Sequence, residues 1–210
     1  MKKYDKIVED VISMPNTLPQ NVIGLQGMSG TLVRSFLNNL VKTVPNVRYL
    51  EIGVWKGSTC ISALYGNIEK IDKYWLLDNW SEFGGPKTEF IQNFSNVVGS
   101  SPNLFDLDCF GVNPIELGID KVNIYFYDGR HLPRDQEMAI EKYIDSMDDE
   151  FIFIIDDWNS DFVKTPTVNA IKKLPLEIVY FREFITGGDA ADTWWNGIGI
   201  FVLRKTEAQS

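Results

Sequence analysis

Basic side chains, cysteine and histidine are all scarce in this chain. Lys and Arg number 20 against 29 Asp and Glu over 210 residues, a net charge of −9. Nucleic acid and anionic membranes repel such a surface, and no run of Lys or Arg offers a local exception, so neither is expected as a partner. The two cysteines, Cys60 and Cys109, form no C-x-x-C pair and have no metal-ligand spacing. Cys60 reads as a buried free thiol inside a helix. The only histidine is His131. No stretch of 18 apolar residues occurs, so no membrane span is expected. The opening MKKYDKIVED is charged and lacks the apolar stretch of a secretion signal, so a cytoplasmic location is expected.

What is present is the material of one globular unit. A chain of this length buries roughly 70% of the surface its unfolded form exposes, and needs no disulfide or metal to fold. Hydrophobic residues make up 44% and aromatics 13%. The first 28 residues read as irregular, broken by Pro15, Pro19, Gly24 and Gly27. A helix is expected from Ser29 as N-cap, with Leu32, Val33, Phe36, Leu37, Leu40 and Val41 at helical spacing, ended by Pro45. This suggests a cap region over residues 1–45 and a main domain over 46–210.

From Val47 the pattern alternates. Strands are expected at 47–52, 74–77, 104–110, 122–127 and 151–155, with helices at 58–64, 89–98, 136–147 and 163–174. Strands at 177–185 and 197–203 follow with no helix between them. Alternating strands and helices imply a parallel sheet covered on both faces. Two successive final strands imply a hairpin, so the last strand should run antiparallel.

The segment Glu51-Ile52-Gly53-Val54-Trp55-Lys56-Gly57-Ser58-Thr59 leaves an apolar strand and opens a helix. Gly53 permits a tight turn and close approach by a ligand. Gly57, Ser58 and Thr59 put N–H groups and hydroxyls at the helix start, suited to a carboxylate. A dinucleotide needs glycine at the middle position, which here is Trp55. The next strand ends Leu77-Asp78-Asn79-Trp80. An acid at that tip is placed for ribose hydroxyls, or it caps the following turn.

Two further strand tips carry acids: Asp128-Gly129-Arg130-His131 and Asp156-Asp157-Trp158-Asn159. In a parallel sheet both point to the edge beside the glycine turn. Three carboxylates meeting there repel one another unless a cation joins them, and an all-oxygen set suits Mg²⁺ better than Zn²⁺. Asp156 serves equally as a metal-free cap of its turn.

The E-x-G-x-x-x-G-S/T turn resembles the cofactor motif of class I S-adenosylmethionine (SAM) dependent methyltransferases. The D-G-x-H element followed by a strand ending D-D is similar to the small D-G-x-H methyltransferases and to the Mg²⁺-dependent TylF-like and catechol O-methyltransferase groups. The resemblance spans roughly residues 47–174. It implies a Rossmann-like three-layer sandwich, a seven-stranded mostly parallel sheet with the last strand antiparallel. It implies SAM binding by Glu51 at the methionine end, by Gly53, Gly57, Ser58 and Thr59, and by Asp78 with Asn79 and Trp80. Asp128 and His131 are implied as catalytic or cofactor-contacting, His131 as general base or adenine contact. Asp128, Asp156 and Asp157 are the implied Mg²⁺ ligands.

The expected reaction is O-methylation of a hydroxylated small molecule or sugar, with a base and a metal preparing the acceptor oxygen. Trp158, Trp194 and Trp195 are candidates for stacking on a carbohydrate acceptor, and the Trp pair reads equally as the plug of a hydrophobic edge. Met28 is a candidate SAM contact. A nucleotide-sugar or nicotinamide oxidoreductase, or a non-catalytic binding protein on the same sheet, stays open as an alternative. A second copy of the chain is compatible with everything above.

Overall fold

The computed structural model describes residues 4–207. The apolar runs expected as strands form one sheet: β1 (Arg48–Ile52), β2 (Lys73–Asp78), β3 (Leu104–Asp106), β4 (Val122–Tyr127), β5 (Met147–Ile155), β6 (Leu176–Phe184) and β7 (Ile198–Lys205). Their order is β3-β2-β1-β4-β5-β7-β6. The first five pair in parallel, and β7 runs antiparallel between β5 and β6. Every residue of β4 is buried, as a central strand covered on both faces requires.

The helices are α1 (Tyr4–Ile12), α2 (Gln20–Ile23), α3 (Thr31–Thr43), α4 (Ser58–Leu64), α5 (Lys87–Val98), α6 (Pro133–Glu141) and α7 (Asp161–Lys173). Strand side chains alternate between faces, so each strand feeds two cores. Tyr49, Phe126 and Ile154 pack with Val8 of α1, Leu37 of α3, Ile61 of α4 and Phe94 of α5. Leu50, Tyr125 and Phe153 pack on the other face with Ile140 of α6 and Ile171 of α7. The result is the three-layer α/β sandwich that the alternation implied.

Several boundaries differ from the sequence expectation. Residues 4–12 and 20–23 are helical, where an irregular segment was expected. Ile7, Val8 and Val11 of α1 are buried, and this apolar stripe makes an otherwise charged segment worth folding. Helix α3 starts at Thr31 after Gly30, not at Ser29. The Ser29 hydroxyl instead meets Ser58 Oγ at 3.1 Å and accepts from Arg34 Nε at 2.9 Å. Helix α6 stops at Glu141, and Met147 opens β5. Strand β3 keeps only Leu104–Asp106.

Candidate functional site

In-register pairing decides which residues meet at the carboxyl edge of the sheet. Ile52 pairs with Leu77 on one side and Tyr127 on the other, and Tyr127 pairs with Ile155. The next residue of each strand therefore falls in one row: Asp78, Gly53, Asp128, Asp156. Backbone bonds carry the ladder into that row. Gly53 N–H donates to Leu77 O at 2.9 Å, Asp128 N–H to Ile52 O at 2.9 Å, and Asp156 N–H to Tyr127 O at 3.1 Å. A cavity of about 480 Å³ opens over the row, and all four residues line it. Gly53 has φ +88°, and a Cβ there would stand 1.9 Å from the Asp128 carbonyl oxygen. Glycine is what lets β1 and β4 end this close together.

Asp78 anchors the turn. Its Oδ2 accepts the Trp55 N–H at 2.8 Å and its Oδ1 the Trp80 N–H at 2.7 Å. A carboxylate has about four acceptor sites, so lone pairs remain for a ligand. The backbone N–H at the position where a dinucleotide motif has its middle glycine is thus already taken. The Trp55 indole donates to Phe83 O at 3.2 Å and the Trp80 indole to Trp55 O at 3.3 Å, which ties residues 80–83 to the turn. Trp55, Phe83, Asp157 and Trp195 all line the cavity and all have positive φ between 42° and 54°. Left-handed non-glycine residues cost on the order of 1 kcal/mol each and collect at functional sites.

Asp128, Asp156 and Asp157 come together at the β4–β5 end of the cavity. Burial, then the charges of Asp156 and Asp157, hold the Asp128 carboxyl well above the usual range. Burial pushes Asp156 up to about 8, with Asp157 adding to the rise. Asp128 still exposes 23% of its side chain, so cavity water softens its rise without reversing it. Crowded this way, the two carboxyls resist being ionised together unless a cation joins them. His131 Nδ1 stands 3.4 Å from Asp157 Oδ2, and its Nε2 lies 3.9 Å from Asp128 Oδ1 with no hydrogen-bond partner.

The donor set has the chemistry of a Mg²⁺ site, but its arrangement does not fit one. No group of three or more His, Cys, Asp or Glu among the described residues is disposed to hold a metal ion.

Other expected site residues stand elsewhere. Glu51 is fully buried beneath the turn, where the Thr59 hydroxyl donates to it at 2.5 Å and the Tyr49 hydroxyl also bonds to it. Gly57 packs against Ile61 and Phe90, and Ser58 faces Ser29. None of Glu51, Gly57, Ser58 and Thr59 lines the cavity. Asn79 lines it; Trp80 instead leans on Phe90. Trp158 and Trp194, expected at an acceptor, are packing residues. Trp158 is buried against Phe201 and donates to Glu183 Oε2 at 2.7 Å. Trp194 stacks on Phe184 at 4.0 Å and meets Phe36 edge-on. Trp195 and Met28 do line the cavity.

Two features escaped the sequence reading. Leu107, Asp108, Cys109 and Phe110 line the cavity where a strand was expected to continue. The signal was Asp108, an acid just past a strand, the rule that singled out Asp78. Burial pushes the Cys109 thiol up to about 12, which keeps it neutral. The second is Arg34, buried in α3, whose Nη1 donates to Ile23 O and Leu25 O, both at 2.9 Å. Burial lowers it to about 10, so it stays charged at neutral pH and holds the segment that carries Met28.

The sheet order, the reversed β7 and a ligand-sized cavity over the β1 and β2 tips define the class I SAM-dependent methyltransferase fold. Solved structures agree. The chain superposes on the S-adenosylhomocysteine-bound methyltransferase PaMTH1 of Podospora anserina with a TM-score of 0.66 and 12% identity, covering 97% of this chain and 95% of that one. The O-methyltransferase from Bacillus cereus in complex with S-adenosylhomocysteine gives 0.63 and 15%, covering 96% and 97%. The SAM-dependent O-methyltransferase from Thermotoga maritima gives 0.59 and 13%, covering 84% of this chain and 66% of that one, just under two thirds. Identities this low speak for the fold. No family model matches the chain, and no curated protein matches it in sequence.

Proposed function

We propose that this chain is a SAM-dependent O-methyltransferase acting on a hydroxylated small molecule or sugar. The observation that carries the reading is the in-register row Asp78–Gly53–Asp128–Asp156 under one cavity, with His131 at its far end. Gly53 allows the cofactor to approach the backbone, and Asp78 offers its free lone pairs to ribose hydroxyls. Methyl transfer from a sulfonium is an in-line displacement, so the protein's task is to align the acceptor and take its proton. His131 suits that second task. With Nδ1–H turned to Asp157, the unpartnered Nε2 carries the lone pair that accepts the hydroxyl proton. A Mg²⁺ ion, were one held, would polarise the acceptor oxygen. The carboxylates do not fit one as arranged, and no step here depends on it.

Calorimetry with S-adenosylhomocysteine tests the cofactor half. Wild type should bind it, and Asp78→Ala should weaken binding at least about tenfold, the loss of a charge-assisted hydrogen bond or two. A melting temperature raised by NAD(H) and not by SAM would replace the reading with an oxidoreductase. For His131, replacement by Gln should lower kcat by about 10²–10⁴ and leave S-adenosylhomocysteine affinity in place. If affinity falls and kcat does not, His131 is a cofactor contact.

A further inference from the structure

We propose that the acceptor is itself a cation: a hydroxylated small molecule bearing an ammonium group, such as an amino sugar or aminocyclitol, held at the corner of Asp128, Asp156 and Asp157. The proposal rests on the methyltransferase reading and adds the charge class of its substrate.

The cavity is lopsided in charge. Besides the three corner carboxylates it is lined by Asp78, Glu82, Asp108 and Asp135, against Arg130 and His131 as the only basic groups. Arg130 is spent on Glu82, at 3.1 Å. Asp78 and Asp108 are engaged by backbone N–H groups. Among the described residues, the only basic group within 4.0 Å of the three corner carboxylates is His131.

A second observation points to a missing partner. Six buried side-chain polar atoms of the described residues have no hydrogen-bond partner, and three of them belong to this cavity: Asp156 Oδ1, Asp135 Oδ2 and His131 Nε2. Asp156 is only 3% exposed, so bulk water does not substitute for the absent donor. Buried polar groups left so are rare in native proteins, and here three of them converge on one ligand-sized cavity.

An ammonium answers this corner where a metal ion does not. It needs no closed coordination shell, only acceptors for its three N–H groups, and three carboxylates face it. Trp195, which lines the same cavity, supplies an apolar and cation-tolerant surface for a sugar ring. Phosphorylated or carboxylated acceptors are repelled by the same groups. The held ammonium has no lone pair, so the neighbouring hydroxyl is the nucleophile. The S–CH₃ bond of SAM breaks with its electrons staying on sulfur, the O–CH₃ bond forms, and the hydroxyl proton passes to His131 Nε2. The products are the methyl ether and S-adenosylhomocysteine.

The test is transfer of labelled methyl from SAM to three matched panels: amino sugars and aminocyclitols, their deaminated counterparts, and the corresponding uronic acids. The expected result is transfer to ammonium-bearing members with kcat/KM at least about tenfold above the neutral ones, none to the acids, and an advantage that shrinks as salt rises. Asp157→Asn keeps a side chain that tolerates the positive φ at this position. It should raise KM about tenfold for the amine acceptor and leave it unchanged for a neutral one, with S-adenosylhomocysteine affinity unchanged; kcat falls for both alike, because Asp157 also faces His131 Nδ1. Equal or better transfer to neutral or anionic members overturns the proposal. So does a turnover of neutral acceptors that appears only with added MgCl₂, or an absence of transfer to every ammonium-bearing member by protein that binds S-adenosylhomocysteine. Protein that fails to bind S-adenosylhomocysteine at all overturns the methyltransferase reading beneath it.

Discussion

Glu51 carries a charge problem that its neighbours solve only in part. The carboxylate is fully buried, and burial raises it from 4.5 to about 7 even though Thr59 and Tyr49 donate to it. Below the ordinary value, folded and unfolded chains both hold the proton. As pH rises through the window from 4.5 to about 7 the unfolded chain releases it first, so stability falls across that window and stays lower above it. Glu51→Gln should therefore melt above wild type at about pH 8, by up to roughly 3 kcal/mol, with the two curves meeting near pH 4. Melting curves across pH check this; a difference that does not change with pH would assign the effect to the lost hydrogen bonds. At this scale the acids of the site were legible, because Asp78, Asp128, Asp156 and Asp157 each follow an apolar strand. The roles of Trp158 and Trp194 were not. A tryptophan in a polar loop reads the same whether it faces a ligand or a ring such as Phe184, which arrives from elsewhere in the chain.

Between elements, the β6–β7 connection is tied to the start of α3 and to the segment after β5. Ala191 O and Thr193 O accept the Thr31 and Leu32 N–H groups, satisfying free donors at the start of α3. At its other end, Asn159 N–H donates to Asn196 O, and the Asn159 side chain accepts from the Thr186 N–H at 3.0 Å. The two adjacent tryptophans of this connection do opposite jobs. Trp194→Ala removes a stacked ring from the core and should destabilise by about 2–3 kcal/mol. Trp195→Ala should change stability by less than about 1 kcal/mol and act on KM for the acceptor, because the residue lines the cavity. Chemical denaturation beside steady-state kinetics separates the two. Helices α4, α5 and α7 and strand β4 were legible from periodicity alone. Helix α1 was missed because its stripe of Ile7, Val8 and Val11 is short and the prolines after it dominate the composition of the segment.

Over the whole molecule, net charge and sheet order act together. With −9 overall and a cavity whose charged groups are mostly carboxylates, the chain should not retard RNA or duplex DNA in a gel at physiological salt; a shift that salt abolishes would contradict that. Among the described residues no helix is long and apolar enough to cross a membrane. The sequence by itself determined the alternation of strands and helices, the reversed final strand, and the residue types at each strand tip, because these follow from periodicity and from what must come after an apolar run. It also marked the glycine turn that opens the site. Only the tertiary structure decided that Gly53 sits against the Asp128 carbonyl, that Glu51 is buried beneath the turn instead of lining the cavity, and that the three carboxylates meet without forming a metal cage. Those outcomes depend on register between strands far apart in the chain. A shift of one residue there would turn every one of these side chains to the other face.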